Sequence, residues 1–200
     1  GVMRELDRID GALSQQARLS RGLTQRLMGV RMVPFASIVE RLQRVVEQTA
    51  QECGKEATLT VDGGATELDR SMLERITGPI EHLLRNAIVH GIEAPAMREA
   101  AGKARAGIVR LGLAQAGNEV VITAEDNGAG LDFARIRSIA VERGLLAVDT
   151  QASEAQLAQC IFTPGFTTAS ILSENAGRGV GMDVVRNEIA RLGGHVDVQS

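Results

Sequence analysis

Three places in the chain combine residue types with spacings suited to chemistry. Gly177-Arg-Gly-Val-Gly-Met182 opens a predicted helix, and Asp126-Asn-Gly-Ala-Gly130 closes a β-rich stretch. Closely spaced glycines let backbone approach a ligand, and helix-start amides offer unpaired N–H donors to phosphate oxygens. Two such turns framing one pocket imply a nucleotide site. Upstream, His82, Asn86 and His90 fall at i, i+4 and i+8 of a predicted helix, which lines up one metal-capable amide and two imidazoles on one face.

Each place also has a plainer reading. A GxGxG run before a helix is common, and here it is not the dinucleotide fingerprint, because Ser170 to Ala176 reads as loop rather than strand. A phosphate-cradling GxxxxGK[ST] is missing: Gly102-Lys103 has Met97 where the first glycine belongs, and Ala104 follows. Asp126-Asn-Gly alone would serve as a hairpin turn. Order and co-occurrence raise these motifs above their separate readings.

The elements that must position them can be read from periodicity. Val2, Leu6, Ile9, Leu13, Gln16, Ser20, Leu23, Leu27 and Val30 step by four and three, a heptad-like seam that reads as an intermolecular helix or as an amphipathic helix on its own domain. Pro34 breaks it, and a second helix carries Phe35, Ile38, Val39, Leu42, Val45, Val46 and Ala50 towards a stop at Gly54. Ala57 to Val61 alternates like a strand and ends at Asp62-Gly-Gly64. A helix from about Leu68 to Val89 contains Pro79, so a kink or two pieces is expected. Ile108–Leu113 and Glu119–Ala124 read as an antiparallel hairpin around Gly117-Asn118, with Asp126 at its exit. Phe133 to Arg143 is helical and stops at Gly144. The stretch Phe162 to Ser170 is rich in breakers and reads as a mobile flap, Arg178 to Leu192 as a helix, and His195 to Ser200 as the start of a strand. The fold class expected is an α/β two-layer sandwich: a mixed, mostly antiparallel sheet with helices on one face, plus the N-terminal helix.

Composition bounds the function. The 200 residues at 44% apolar support one good core. A net charge of −3, no basic block and a 2% aromatic content offer nucleic acid neither a counterion-releasing stripe nor a stacking platform. Of 22 basic residues only Lys55 and Lys103 are lysine. Cys53 and Cys160 lack CxxC or His spacing and read as buried or inert thiols of a reducing compartment. No apolar run reaches the ~18 residues of a membrane span, and no signal-peptide pattern opens the chain, so no membrane insertion and a cytoplasmic setting are expected.

Asn86 in Leu83-Leu-Arg-Asn-Ala-Ile-Val-His-Gly91, then Asp126 to Gly130, Phe162-Thr-Pro-Gly-Phe166 and Gly177 to Asp183 resemble the N, G1, F and G2 boxes of histidine-kinase ATP-binding domains. Within that class the chain resembles the CheA family of chemotaxis-type kinases, which Arg31-Met-Val-Pro34, Thr66 to Arg70, His82 to Glu93, Ala101-Gly-Lys103 and Arg178 to Arg186 also look like. The resemblance implies the Bergerat fold shared with gyrase, Hsp90 and MutL. It implies residues 1–30 as the second helix of a dimerisation domain and 31–200 as the ATP-binding domain, without its final strand. Val89 stands where the family usually carries Asp, which puts in doubt a polar network to the metal's water shell.

By the same resemblance Asp126 would accept from the adenine exocyclic amine, a charge-assisted bond of ~1.5–3 kcal/mol that selects against guanine; its alternative is a turn-former. Gly128 and Gly130 would let backbone pass the base. Asn86 would offer its amide oxygen to Mg²⁺, a hard cation whose other positions are phosphate and water, although a helical Asn is ordinarily just solvated or back-bonding. Gly177, Gly179, Val180 and Gly181 would bring backbone to the triphosphate, and Thr167 and Thr168 hydroxyls from the flap. Arg135 matches a basic phosphate contact of relatives or is an exposed helix charge, and His90 contacts phosphate or caps its helix. Met182 and Ile122 read as walls of the adenine pocket or as core. His82 occupies the place where ATP-hydrolysing relatives carry a water-activating Glu, and Glu81, five residues before Asn86, lies about 140° from Asn86 around the helix. The resemblance therefore implies ATP and Mg²⁺ as cofactors and transfer of the γ-phosphoryl in trans to a histidine phosphotransfer domain, with His82 and Asn86 catalytic. It also implies a CheW-like coupling protein, chemoreceptors, a downstream response regulator and a homodimer of the full-length protein. An ATP-driven clamp and a nucleotide-binding scaffold without catalysis are the alternatives.

Overall fold

The computed structural model describes residues 32–166 and 181–199. The heptad-like seam, residues 167–170 of the flap and the second glycine run up to residue 180 lie outside them. The first described elements are β1 (Met32–Pro34), a 3-10 turn (Phe35–Ile38) and α1 (Val39–Glu52). Leu42, Val46, Thr49 and Ala50 form the buried stripe of α1, the i, i+4, i+7 and i+8 pattern of a helix lying on a core. β2 (Ala57–Asp62) and β3 (Glu67–Asp69) follow. Asp69 then caps α2 (Arg70–Asn86), accepting the Ser71 N–H at 2.9 Å and the Met72 N–H at 3.4 Å.

Pro79 neither divides α2 nor ends it. It removes one backbone donor, while Leu73, Ile76 and Thr77 before it and Ile80 and Leu84 after it share one buried face that holds both halves in register. The helix runs straight into a wider π turn (Ala87–Gly91), closed by the Ile92 N–H on the Ala87 carbonyl at 2.8 Å.

After the short α3 (Pro95–Ala100) come β4 (Gly107–Ala116) and β5 (Glu119–Asp126), the expected antiparallel hairpin, turned at Gly117 with φ +63°. β4 is central: β2 pairs with it in parallel, β5 antiparallel. A separate two-stranded sheet joins β1 to β3. Val109, Leu111 and Leu113 of β4 turn to one side, where α1, α2 and the π turn supply Leu42, Val46, Leu84 and Ile88 to a single core. This is the mixed, mostly antiparallel α/β arrangement expected from the alternation of elements.

A second apolar cluster forms where α4 (Phe133–Glu142) meets α5 (Glu154–Cys160), from Ile136, Ala140, Leu157 and Phe166. The last helix, α6, runs Met182–Arg191 with Gly181 at its N-cap in extended conformation, so it begins after the glycine run rather than at Arg178. His195 to Gln199 do not form the expected strand. Alternation supplies only one side of a strand's requirements, and no neighbouring ladder takes up its backbone groups among the described residues. Both cysteines are free, Cys53 exposed and Cys160 half-buried, so of the two readings, buried or inert, the buried one is not met.

Leu84 is 0% exposed where α2 meets the sheet. Leu84→Ala should lower unfolding free energy by ~2–5 kcal/mol. Val121, 45% exposed on β5, should lose no more than about 0.5 kcal/mol as Val121→Ala. Chemical denaturation of the two variants checks the contrast, and equal losses would place the core elsewhere.

Candidate nucleotide site

The site is built where the C-terminal end of α2 meets the exit of β5. Helix ends leave carbonyls without intrahelical donors. Here Lys55, just beyond α1, donates its Nζ to the Ile88 and Val89 carbonyls, each at 2.8 Å. A cation at this end also opposes the helix dipole. Burial lowers the Lys55 pKa. The π turn carries one more residue than an α turn, and it carries the Gly91 carbonyl out to the β5 exit loop, where it accepts the Ala129 N–H at 2.9 Å.

That junction tolerates no side chains. A Cβ on Gly128 would lie 2.1 Å from the Gly91 carbonyl oxygen, and one on Gly91 would lie 2.7–2.8 Å from the carboxylate atoms of Asp126. Asp126 is the exposed last residue of β5, and its Oδ1 accepts the Gly128 N–H at 2.9 Å. Its Oδ2 is left available to a donor from outside the loop. Gly130 follows with φ +75°.

His82 and Asn86 touch, as their spacing predicts, with His82 Nε2 3.0 Å from Asn86 Nδ2. The same Nδ2 donates to the Met182 sulfur at 3.2 Å. A thioether only accepts, so the amide nitrogen faces both partners and His82 Nε2 is an acceptor. A neutral His82 then carries its proton on Nδ1. Burial first, then the charges of Arg85 and His90, lower the His82 pKa from 6.5, against an opposing pull from Asp183. The ring is therefore neutral at neutral pH. Among the described residues no donor meets Asn86 Oδ1.

The other predicted residues divide. Met182 opens α6 beside Asn86, so it is part of the site, and Gly181 caps that helix without a side-chain partner, leaving its first amides to a ligand. Ile122 is a half-buried wall of the main core. His90 keeps an exposed edge in the π turn, although burial and then Lys55 lower its pKa. Arg135 is exposed on the first turn of α4, where its N–H bonds to Asp132. Glu81 turns away from His82 and pairs with Arg41 at 2.5 Å. Thr167, Thr168, Gly177, Gly179 and Val180 lie outside the described residues.

Sequence reasoning missed the layer beneath Asp126. Arg98 is 1% exposed and donates to Ala104 O at 2.8 Å, Glu93 Oε2 at 2.7 Å, and both the carbonyl and the Oδ1 of Asn127 at 3.2 Å. Lys103 donates to Glu93 Oε1 at 2.6 Å and to the Gly128 carbonyl at 2.8 Å. Asn127 Oδ1 also accepts the Ile108 N–H at 2.8 Å. Lys103's hydrogen bond above all, with Arg98's help and against burial, holds the Glu93 carboxyl at about 2. One signal was in the sequence: both lysines of the chain end on carbonyls of this junction.

Adenosine triphosphate with a divalent cation fits these donors. The carboxylate edge suits an amine, the glycine junction leaves backbone close to a flat base, and a neutral amide oxygen suits a cation otherwise held by phosphate and water. Among the described residues no group of three or more His, Cys, Asp or Glu converges to hold a metal by protein alone. None of the described helices is long and apolar enough to cross a membrane.

Comparison with known proteins agrees. Residues 76–200 match the family "Histidine kinase-, DNA gyrase B-, and HSP90-like ATPase". The chain is 41% identical over 189 residues to the chemotaxis protein CheA of Klebsiella aerogenes, covering 94% of this chain and 29% of that protein. It is 39% identical to CheA of Treponema pallidum over 200 residues (100% and 25%) and 39% identical to CheA of Bacillus subtilis over 198 (98% and 30%). The chain thus spans between a quarter and a third of these relatives' length. By its family match, its fold and its site, this chain belongs to the histidine kinase-, DNA gyrase B- and HSP90-like ATPase family, as an ATP-binding domain of the CheA kind.

Proposed function

We propose that this domain binds Mg-ATP and passes the γ-phosphoryl in trans to a histidine on a separate phosphotransfer domain. The observation that carries the reading is the pairing of His82 with Asn86 while Glu81 is engaged by Arg41. The place suited to a water-activating carboxylate holds a neutral imidazole instead.

In this reading Asp126 accepts from the adenine amine, and Asn86 Oδ1 holds the cation. When bound, Mg²⁺ neutralises charge on the β- and γ-phosphates. The amides at the start of α6 lie beside Met182 and so beside Asn86, where phosphate oxygens would meet them. His82, fixed by the amide on Nε2, presents Nδ1–H as a donor. It stabilises developing charge rather than removing a proton, since its acceptor nitrogen is already occupied. The incoming imidazole nitrogen forms the N–P bond as the bridging oxygen departs with its electron pair on ADP. Likeness to CheA over the whole chain supports a setting with a CheW-like coupling protein, chemoreceptors, a response regulator and a dimer built in part from residues 1–30, in the cytoplasm.

Asp126→Asn should weaken ATP binding at least tenfold, roughly 1.4 kcal/mol, without loss of fold. Calorimetry finding unchanged affinity would remove Asp126 from base recognition.

His82→Gln should cut label transfer from ATP to an added phosphotransfer domain by ~10²–10⁴ while ATP affinity changes far less, and Asn86→Ala should abolish transfer. Transfer by the unaltered chain should hold through neutral pH and fall only below 6.5, the ordinary histidine value, because protonation removes the Nε2 acceptor that fixes Asn86. A brisk ATPase that survives His82→Gln would reject kinase chemistry in favour of a clamp. ATP binding with no transfer would leave a scaffold.

A further inference from the structure

Outside the groups that would touch nucleotide, the most completely bonded polar cluster is Glu93, Arg98 and Lys103. Its members come from the segment between the π turn and β4, yet three of their six side-chain hydrogen bonds end on Asn127 and Gly128. We propose that these three side chains are positioning residues for base recognition: they fix the Asn127–Gly128 backbone so that Asp126 meets the base at a set distance and angle. The inference rests on the reading of Asp126 as the adenine acceptor.

The geometry supports a positioning role over simple packing. A surface loop of this length, with two glycines, has many accessible conformations. Three things remove that freedom. The Arg98 fork holds Asn127 by both its carbonyl and its side chain, leaving that residue no rotation. Lys103 holds the carbonyl of the next residue, Gly128. The Gly128 N–H in turn holds Asp126 Oδ1. The chain of bonds therefore runs Lys103, Gly128, Asp126, and any shift at its first member is passed to the carboxylate.

Glu93 makes the two cations work together. Its Oε1 takes Lys103 and its Oε2 takes Arg98, so one carboxylate bridges and neutralises both. Two like charges aimed at one short backbone segment would otherwise repel. The division of labour matches the side chains: a planar fork reads the fixed geometry of an amide and its carbonyl, whereas a compact ammonium donates in several directions.

Base selectivity follows from the same rigidity. Discrimination between an amine and a carbonyl on the base requires the carboxylate to stay put when the wrong group arrives. A loop free to move would let Asp126 turn away from guanine and relieve the repulsion. The cluster should then control the ratio of adenine to guanine affinity although none of its members touches the base.

The test uses the whole chain and Lys103, whose side chain is 37% exposed, because removing buried Arg98 would strand Glu93 and threaten the fold. Lys103→Met, checked for an intact thermal transition, should speed amide exchange at Gly128 and Ala129 at least tenfold in nucleotide-free protein. It should weaken ATP by about tenfold, and bring the ATP and GTP dissociation constants closer together by a similar factor. Lys103→Arg should restore most of both. On an Asp126→Asn background, Lys103→Met should cost little further affinity, since it acts through the carboxylate already removed. A folded Lys103→Met with unchanged exchange and unchanged ATP-to-GTP ratio would overturn the proposal, as would a loss fully additive with Asp126→Asn. If Asp126→Asn alone leaves ATP affinity untouched, base recognition by Asp126 fails and the proposal falls with it; that result is told apart because it arises in a chain whose cluster is intact.

Discussion

One hydrogen bond joins the two halves of the site: the Gly91 carbonyl accepts the Ala129 N–H at 2.9 Å. Two of the site's three parts hang from this joint, while α6 is held by Met182 against Asn86. On one side is the helix that carries His82 and Asn86; on the other is the loop that carries Asp126. The helix widens to a π turn before it ends, and the Gly91 carbonyl, one of the end carbonyls with no intrahelical donor, is taken by the loop. It forms at van der Waals limits, since neither Gly91 nor Gly128 has room for a Cβ. A site assembled from two distant segments is thus fixed by backbone, and side chains at its centre are kept out rather than packed in.

A joint of backbone groups at a helix end leaves polar atoms that must be satisfied, and the chain answers with cations from elsewhere in the sequence. Lys55 takes two carbonyls of the π turn, and Lys103 takes the Gly128 carbonyl on the loop side. Among the described residues no buried side-chain nitrogen or oxygen is left without a partner, which is what a rigid polar junction requires. Val89 fits the same account. Its side chain is exposed, and the turn is held through its carbonyl by Lys55, so the substitution of an apolar residue there does not loosen the joint.

What was legible in the sequence was local. The i, i+4 spacing of His82 and Asn86, the Gly117 hairpin and the helix stripe of α1 all follow from periodicities of 3.6 and 2 that short segments carry by themselves. The π turn escaped because a 3.6 period assumes that each turn has the same number of residues. The Glu93, Arg98 and Lys103 cluster escaped because its partners on Asn127 and Gly128 lie more than twenty positions away, and charge patterning along a chain does not reveal which loop a side chain will meet. The strand expected after Gly194 fails for a related reason: alternation describes a face, whereas pairing depends on a neighbour that only the tertiary structure supplies. Pro79 shows the reverse case, a local breaker overridden by a continuous buried face on both sides.

The chemistry itself turns on an angle. Glu81 and His82 are adjacent, and either residue type would serve a phosphate site, but 100° of helix rotation sends one to Arg41 and the other to Asn86. With the Glu81 carboxylate committed to Arg41 of α1, it is not placed to activate water beside Asn86. With the imidazole neutral and its Nε2 already accepting, the remaining Nδ1–H is a donor, matched to charge that builds on a departing phosphoryl group rather than to a proton that must be taken from water. Under the function proposed above, a domain arranged in this way would hold its nucleotide while no acceptor is present, and its reactivity would wait on a second nucleophile.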